Sequence, residues 1–157
     1  MAMLTTLLSF NGTNGAFPYA GLTADAAGDL FGTTTSGGAD GDGSVFELVN
    51  NGGGAYTPVT LLSFNAPFYG AYPYSGLIAN AAGDLFGTTY SGGSDGDGTV
   101  FELVNHGGGA YTPVTLLSFN GANGALPVAG LIADAAGDLF GTTAEGGHTT
   151  LARCLSW

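Results

Sequence analysis

The sequence predicts an all-β protein: a β-propeller-like array of four-stranded antiparallel blades that ends on an incomplete blade. Three observations carry this reading. The nine residues AAGDLFGTT occur three times, at 26–34, 81–89 and 135–143. A companion motif, TLLSFN, places Leu7, Leu61 and Leu116 at intervals of 54 and 55 residues, a period that belongs to stacked or radial repeat arrays. Within each period, short runs rich in Thr, Val and Phe alternate with Gly, Pro, Asn and Asp, which favours strands and turns over helix.

The elements follow in order along a single repeat domain, 1–157. Residues 4–10 read as a fourth-type strand inside a segment, 4–16, that completes a blade. Blade 1 (17–65) offers AGLTAD at 20–25, LFGTTT at 30–35, SVFELV at 44–49 and VTLLSF at 59–64. Between the first two, Asp25 is suited to cap a tight turn and Gly28 to supply its positive φ. Leu30 and Phe31 then point to opposite faces. Both faces are apolar, so the sheet needs cover on both sides. Blade 2 (66–120) repeats the pattern with one extra residue between SFN and the next Pro, which marks that stretch as a loop. A partial blade 3 spans 121–147. The tail 148–157, HTTLARCLSW, departs from the repeat and offers at most a makeshift third strand.

Composition narrows the function. Twelve acidic residues face one Arg and no Lys, for a net charge of −11, which excludes nucleic acid and anionic membrane surfaces as partners. No apolar run approaches the roughly 20 residues that span a bilayer. Cys154 is the only cysteine, so no internal disulfide forms. The N-terminal residues belong to the repeat and lack a basic leader and a cleavage site, so they do not read as a signal peptide. With 8% charged residues in the chain, adhesion between copies is an expectation.

The combination DLFGTT, GG, DG and VFEL, running through residues 4–147, resembles the GloVer-type tandem repeat of bacterial surface proteins. The DAAGDLFGTT element is also similar to the D-x-x-G-x-L hairpin of several propeller families. The resemblance implies a secreted or cell-surface setting and no known enzyme activity.

Candidate sites are few. In GGADGDGS and GGSDGDGT, Asp40, Asp42, Asp95 and Asp97 alternate with Gly as at the start of a calcium loop, and oxygen ligands suit Ca²⁺. Val45 stands where an EF-hand needs Gly, so a hairpin with special backbone angles is the competing reading. The loop NAPFYGAYPY enriches one copy in Phe68, Tyr69, Tyr72 and Tyr74. Exposed tyrosines stack on sugars and hydrogen-bond them; packing on a neighbouring blade is the alternative. Tyr56 and Tyr111, like Tyr19 and Tyr74, recur with the repeat and read as blade-to-blade contacts. Glu47 and Glu102 are strand carboxylates directed at a central channel or at a backbone donor. His106 takes the place of Asn51 in a turn, while His148 and Cys154 form at most a pair in the aberrant tail. No nucleophile–base pair arises from repeated residues, and no cofactor is required beyond the calcium reading.

The expected function is therefore a non-catalytic extracellular or cell-surface module for structure and self-assembly, with calcium-assisted carbohydrate binding as the alternative. Strand counting sets the expected partner. Closed propellers typically have about four to eight blades, which one chain cannot supply. The N-terminal TLLSF is the strand type that the last blade lacks. It is expected to complete that blade in a neighbouring copy, head to tail, either closing a ring or propagating as a filament.

Overall fold

Each copy of the repeat folds into one antiparallel meander. The structure, a computed structural model, describes residues 4–146 and 153–156. Sheet 1 runs in the order β1 (Thr23–Ala24), β2 (Leu30–Thr34), β3 (Ser44–Asn50) and β4 (Tyr56–Ser63). A one-turn helix, α1 (Ala66–Tyr69), leads to sheet 2, made of β5 (Ile78–Ala79), β6 (Leu85–Thr89), β7 (Thr99–Asn105) and β8 (Tyr111–Ser118). Sheet 3 holds β9 (Ile132–Ala133), β10 (Leu139–Thr143) and β11 (Arg153–Ser156), in the order β11-β10-β9. The departing tail keeps the third-strand register: Gly141 pairs with Leu155 as Gly87 pairs with Phe101, and Thr142 with Cys154 as Thr88 with Val100. The extra residue of the second copy falls at α1, where NAPFYG replaces the NGTNG and NGANG turns.

These sheets do not form a propeller. They stay separate, with 4, 4 and 3 strands in chain order. One apolar cluster joins sheet 1 to sheet 2 and another joins sheet 2 to sheet 3; among the described residues neither runs from sheet 3 back to sheet 1. The array is open because two junctions use up the apolar faces between the sheets and nothing turns the ends toward each other. A second correction concerns residues 4–10, which are not a strand. Among the described residues no strand pairs with them, and a strand without a neighbour leaves its backbone groups unpaired.

The core lies between the sheets and not within any one of them. Phe31, Val45 and Leu62 of sheet 1 meet Leu77, Leu85, Phe101 and Leu103 of the second copy, with Phe64 closing the cluster. The rings of Phe64 and Phe101 cross edge to face, with centroids 5.0 Å apart at 69°. The second junction gathers Val100, Phe119, Leu131 and Leu139.

Each position of the repeated LFGTT has a separate reason. In the second copy Leu85 faces the preceding sheet, and in the first copy Phe31 faces the following one. Glycine comes next because the third-strand phenylalanine lies over it: a Cβ at Gly87 would stand 2.6 Å from Phe101 Cζ. Thr33 donates to the Ser75 carbonyl of the next repeat at 3.0 Å, and Thr35 to that of Pro73 at 3.1 Å. Thr34 shares a 2.8 Å hydroxyl bond with Ser44, as Thr89 does with Thr99. In sheet 3 the register sets Arg153 opposite Thr143, and the buried Thr143 hydroxyl has no partner among the described residues.

Phe64→Ala or Phe101→Ala should cost about 3–5 kcal/mol, the range for emptying a large buried ring site. Chemical denaturation of the purified chain measures it. Val128→Ala, at a half-exposed position, should stay within roughly 0.5 kcal/mol.

Candidate functional site

The turns between first and second strands are built as the motif implies. Asp25 Oδ1 accepts the N–H groups of Ala27 and Asp29, both at 2.9 Å, and Gly28 takes φ 84°. The Asn50 N–H then donates to Asp29 at 2.6 Å, and its side-chain amide to the Ala27 carbonyl at 3.0 Å. Asn80, Gly83, Asp84 and Asn105 repeat the arrangement in sheet 2. These acids therefore serve the hairpin. His106 likewise inherits a structural bond: its Nε2 meets Thr112 Oγ1 at 2.9 Å, where Asn51 donates to Thr57 at 2.8 Å.

Aromatic side chains make the most distinctive surface. Phe17 and Tyr72 occupy equivalent positions and both adopt left-handed backbone, φ 57° and 58°. Two hydrogen bonds hold Tyr72 there, its N–H to the Asp42 carbonyl at 2.8 Å and its own carbonyl accepting from Tyr90 N–H at 3.1 Å. A proline follows each, and then Tyr19 or Tyr74. The rings line up across two repeats. Phe17 and Tyr19 are 6.1 Å apart and 12° from parallel, Tyr19 and Tyr74 6.2 Å and 18°, and Tyr90 closes the row at 5.4 Å, edge-on to Tyr74. Phe17, Tyr19 and Tyr74 are 61%, 69% and 41% exposed.

The aromatic loop read from the sequence is divided by the fold. Tyr69 leans against the inter-sheet core, and its carbonyl accepts from Thr99 Oγ1 at 3.1 Å. Phe68 projects from α1 and is exposed, while its carbonyl accepts from Thr115 Oγ1 at 3.0 Å. Tyr72 is half-exposed, and Tyr74 alone of the four joins the row. Phe17 and Tyr90 escape a reading of one loop at a time. The available signal is the recurrence of F-P-Y and Y-P-Y one period apart.

The loop aspartates are placed singly. Asp42 Oδ2 accepts the Ala66 N–H at 2.9 Å, at the start of α1, so it ties sheet 1 to the entry of the second repeat. The Asp97 carbonyl accepts Leu126 N–H at 2.8 Å, as the Asp42 carbonyl accepts Tyr72 N–H. Asp95 accepts from Ser94 at 2.7 Å, and Asp40 lies exposed at a loop tip. Among the described residues, no group of three or more His, Cys, Asp or Glu is placed to hold a metal. The suggested pairing of His148 with Cys154 lies outside the described residues, since only the backbone of Cys154 is described.

Glu47 is buried on β3, opposite Phe31. Burial raises its pKa above the ordinary carboxylate range, and the negative charges of Asp29 and then Asp25 raise it further. Glu102 is raised by burial and then by Asp84. The phenol of Tyr111, whose ring packs on Phe31, is raised by burial and then by Glu47, Asp25, Asp29 and Asp84. With no closed ring, these glutamates do not line a central channel. Glu47 lies beside the sheet 1–sheet 2 junction, opposite Phe31, and Glu102 beside the sheet 2–sheet 3 junction, opposite Phe86.

An open stack of antiparallel sheets, one per sequence repeat and each packed on the next, defines a tandem-repeat protein. The chain belongs to the Gloeobacter/Verrucomicrobia repeat family, whose model matches residues 2–153. No curated protein matches it. No helix among the described residues is long and apolar enough to cross a membrane.

Two measurements check these assignments. Because the folded pKa of Glu47 and Glu102 exceeds the unfolded value, their contribution to stability is full below the ordinary glutamate range. It is lost as pH rises through the raised values. Glu47→Gln should therefore raise the urea midpoint at about pH 7 and shrink the gain on acidification to about pH 5. Asp42→Ala in calcium-free buffer should cost about 1 kcal/mol, as for a lost helix cap, whereas Asp40→Ala should be near neutral.

Proposed function

We propose that this non-catalytic repeat module works as an extracellular or cell-surface structural element that assembles with copies of itself, head to tail. One observation carries the reading. The ring of Phe10 meets Phe46 edge to face, 5.1 Å apart at 65°, which duplicates Phe64 on Phe101 at 5.0 Å and 69°. In the second case the residues before the phenylalanine are the fourth strand of the preceding sheet. Residues 4–9 therefore stand where the fourth strand of a preceding sheet would run, and β11 is the edge that lacks one.

The remaining edges support growth at the ends and not at the sides. The long edge strands β4 and β8 carry Pro58 and Pro113, which remove a donor from the exposed ladder. The opposite edges, β1, β5 and β9, are 2 residues long, a length that offers little to pair with. The ends are different. Beside residues 4–10, the free face of sheet 1 holds a groove of about 330 Å³ lined by Leu8, Phe10, Pro18, Leu22, Phe46 and Leu48. Sheet 3 exposes Ile132 at the far end. The cell-surface setting rests on the family resemblance.

A second reading, carbohydrate binding, is favoured by the exposed aromatic row, which has no role in the inter-sheet core.

Light scattering on the purified chain tests the assembly. The full chain should form oligomers whose size grows with concentration. Removing residues 1–9, or changing Phe10→Ala, should return it to monomer. A full chain that stays monomeric at high concentration would overturn the proposal.

A further inference from the structure

The row Phe17–Tyr19–Tyr74–Tyr90 is dispensable to the fold. Where the first two copies place Tyr19 and Tyr74, the third places Val128, and at the position of Phe17 and Tyr72 it places Leu126. Leu126 still adopts φ 54° and still takes the carbonyl of Asp97. The backbone that carries the row thus forms without rings. Tyr90 has Thr35 and Ala144 as counterparts. Four aromatic residues have accumulated at positions the fold leaves free, and the first three rings stand substantially in water, at 61%, 69% and 41% exposure.

The row is also stiff. Each exposed tyrosine follows a proline with fixed φ, and that proline follows a residue pinned in left-handed backbone. Rings held in place before a ligand arrives lose little freedom on binding it. Charge selects the ligand class. A net charge of −11 with a single cation in the chain repels polyanions and offers them no counter-charge. Aromatic faces with phenolic hydroxyls instead suit a neutral partner with C–H faces and many hydroxyls.

We infer that this row is a binding site for a neutral polysaccharide chain, which lies along it across the first and second repeats. The inference rests on the carbohydrate reading and specifies its site. The rings follow one another at 6.1 and 6.2 Å across the two repeats, so a chain laid along the row meets more than one ring.

Isothermal titration with cellohexaose and chitohexaose, using the full chain, tests this. Binding is expected. The double variant Tyr19→Ala, Tyr74→Ala should weaken it about tenfold or more, since each lost ring contact removes up to about a factor of ten. Unchanged circular dichroism and melting would show that the variant is folded. The pair Phe68→Ala, Tyr72→Ala, outside the row, should bind as the parent does. Binding that survives the first pair and is lost with the second would overturn the assignment and leave carbohydrate binding standing elsewhere. No binding by the parent to either sugar or to a wider set of neutral glycans would overturn both. A first-pair variant that keeps sugar binding and instead loses self-association would assign the row to contacts between copies and overturn the inference.

Discussion

The whole array depends on a division of labour at the end of each fourth strand. β4 pairs with β3 through Ser63, and the very next residue, Phe64, is buried against Phe101 of the following sheet. One short stretch therefore ends a sheet and starts a junction. No sheet has an apolar core of its own, since the described clusters lie at the junctions. This is the energetics of a one-dimensional array, where stability comes from neighbours.

Hydroxyl groups give these junctions their register. The apolar contacts alone would tolerate sliding, because aliphatic and aromatic surfaces are not directional. Thr23, Thr33 and Thr35 donate to the carbonyls of Leu77, Ser75 and Pro73, and so fix sheet 1 against an extended segment of the next copy. The second junction keeps one such bond, Thr88 to Ala129 at 3.4 Å. Ile78 and Tyr90 take the places of Thr23 and Thr35. Registration through these hydroxyls thus weakens from the first junction to the second.

Most of the local structure was legible in the sequence. The hairpin built by Asp25 and Gly28, the loop status of the insertion at residues 65–70 and the four-strand unit all follow from short-range chemistry in a repeated motif. Closure was not legible. Whether stacked sheets become a ring depends on how each junction rotates one sheet against the next, and no residue type encodes that rotation. The N-terminal strand misled for a related reason: TLLSF has strand chemistry, but a strand needs a partner edge, and sheet 1 already has its own fourth strand. The aromatic row was legible only in part. Tyr19 and Tyr74 were visible as recurring residues that read as contacts between copies, whereas Tyr90, 16 residues beyond Tyr74, was not. The stacking of copies brings Tyr19 to Tyr74, and the fold of the second copy sets Tyr90 edge-on to Tyr74.

Differences between copies separate the demands of folding from other demands. Gly32, Gly87 and Gly141 never vary, and at the first two a side chain would strike the phenylalanine above. The Asp-to-Asn change from Asp25 to Asn80 preserves the same two acceptor bonds at 2.9 Å, so the turn requires an oxygen and not a charge. The acids that remain at such positions are left free to set the charge of the molecule. Their cost appears at Glu47, whose carboxyl is held toward its neutral form by burial and by those same turn acids. The negative surface is therefore kept at some expense to the junction beside it. In a chain with so few charged groups, that charge is the main defence of exposed apolar ends and exposed rings against indiscriminate adhesion. Contacts that do form must then be specific enough to overcome the repulsion between like-charged copies.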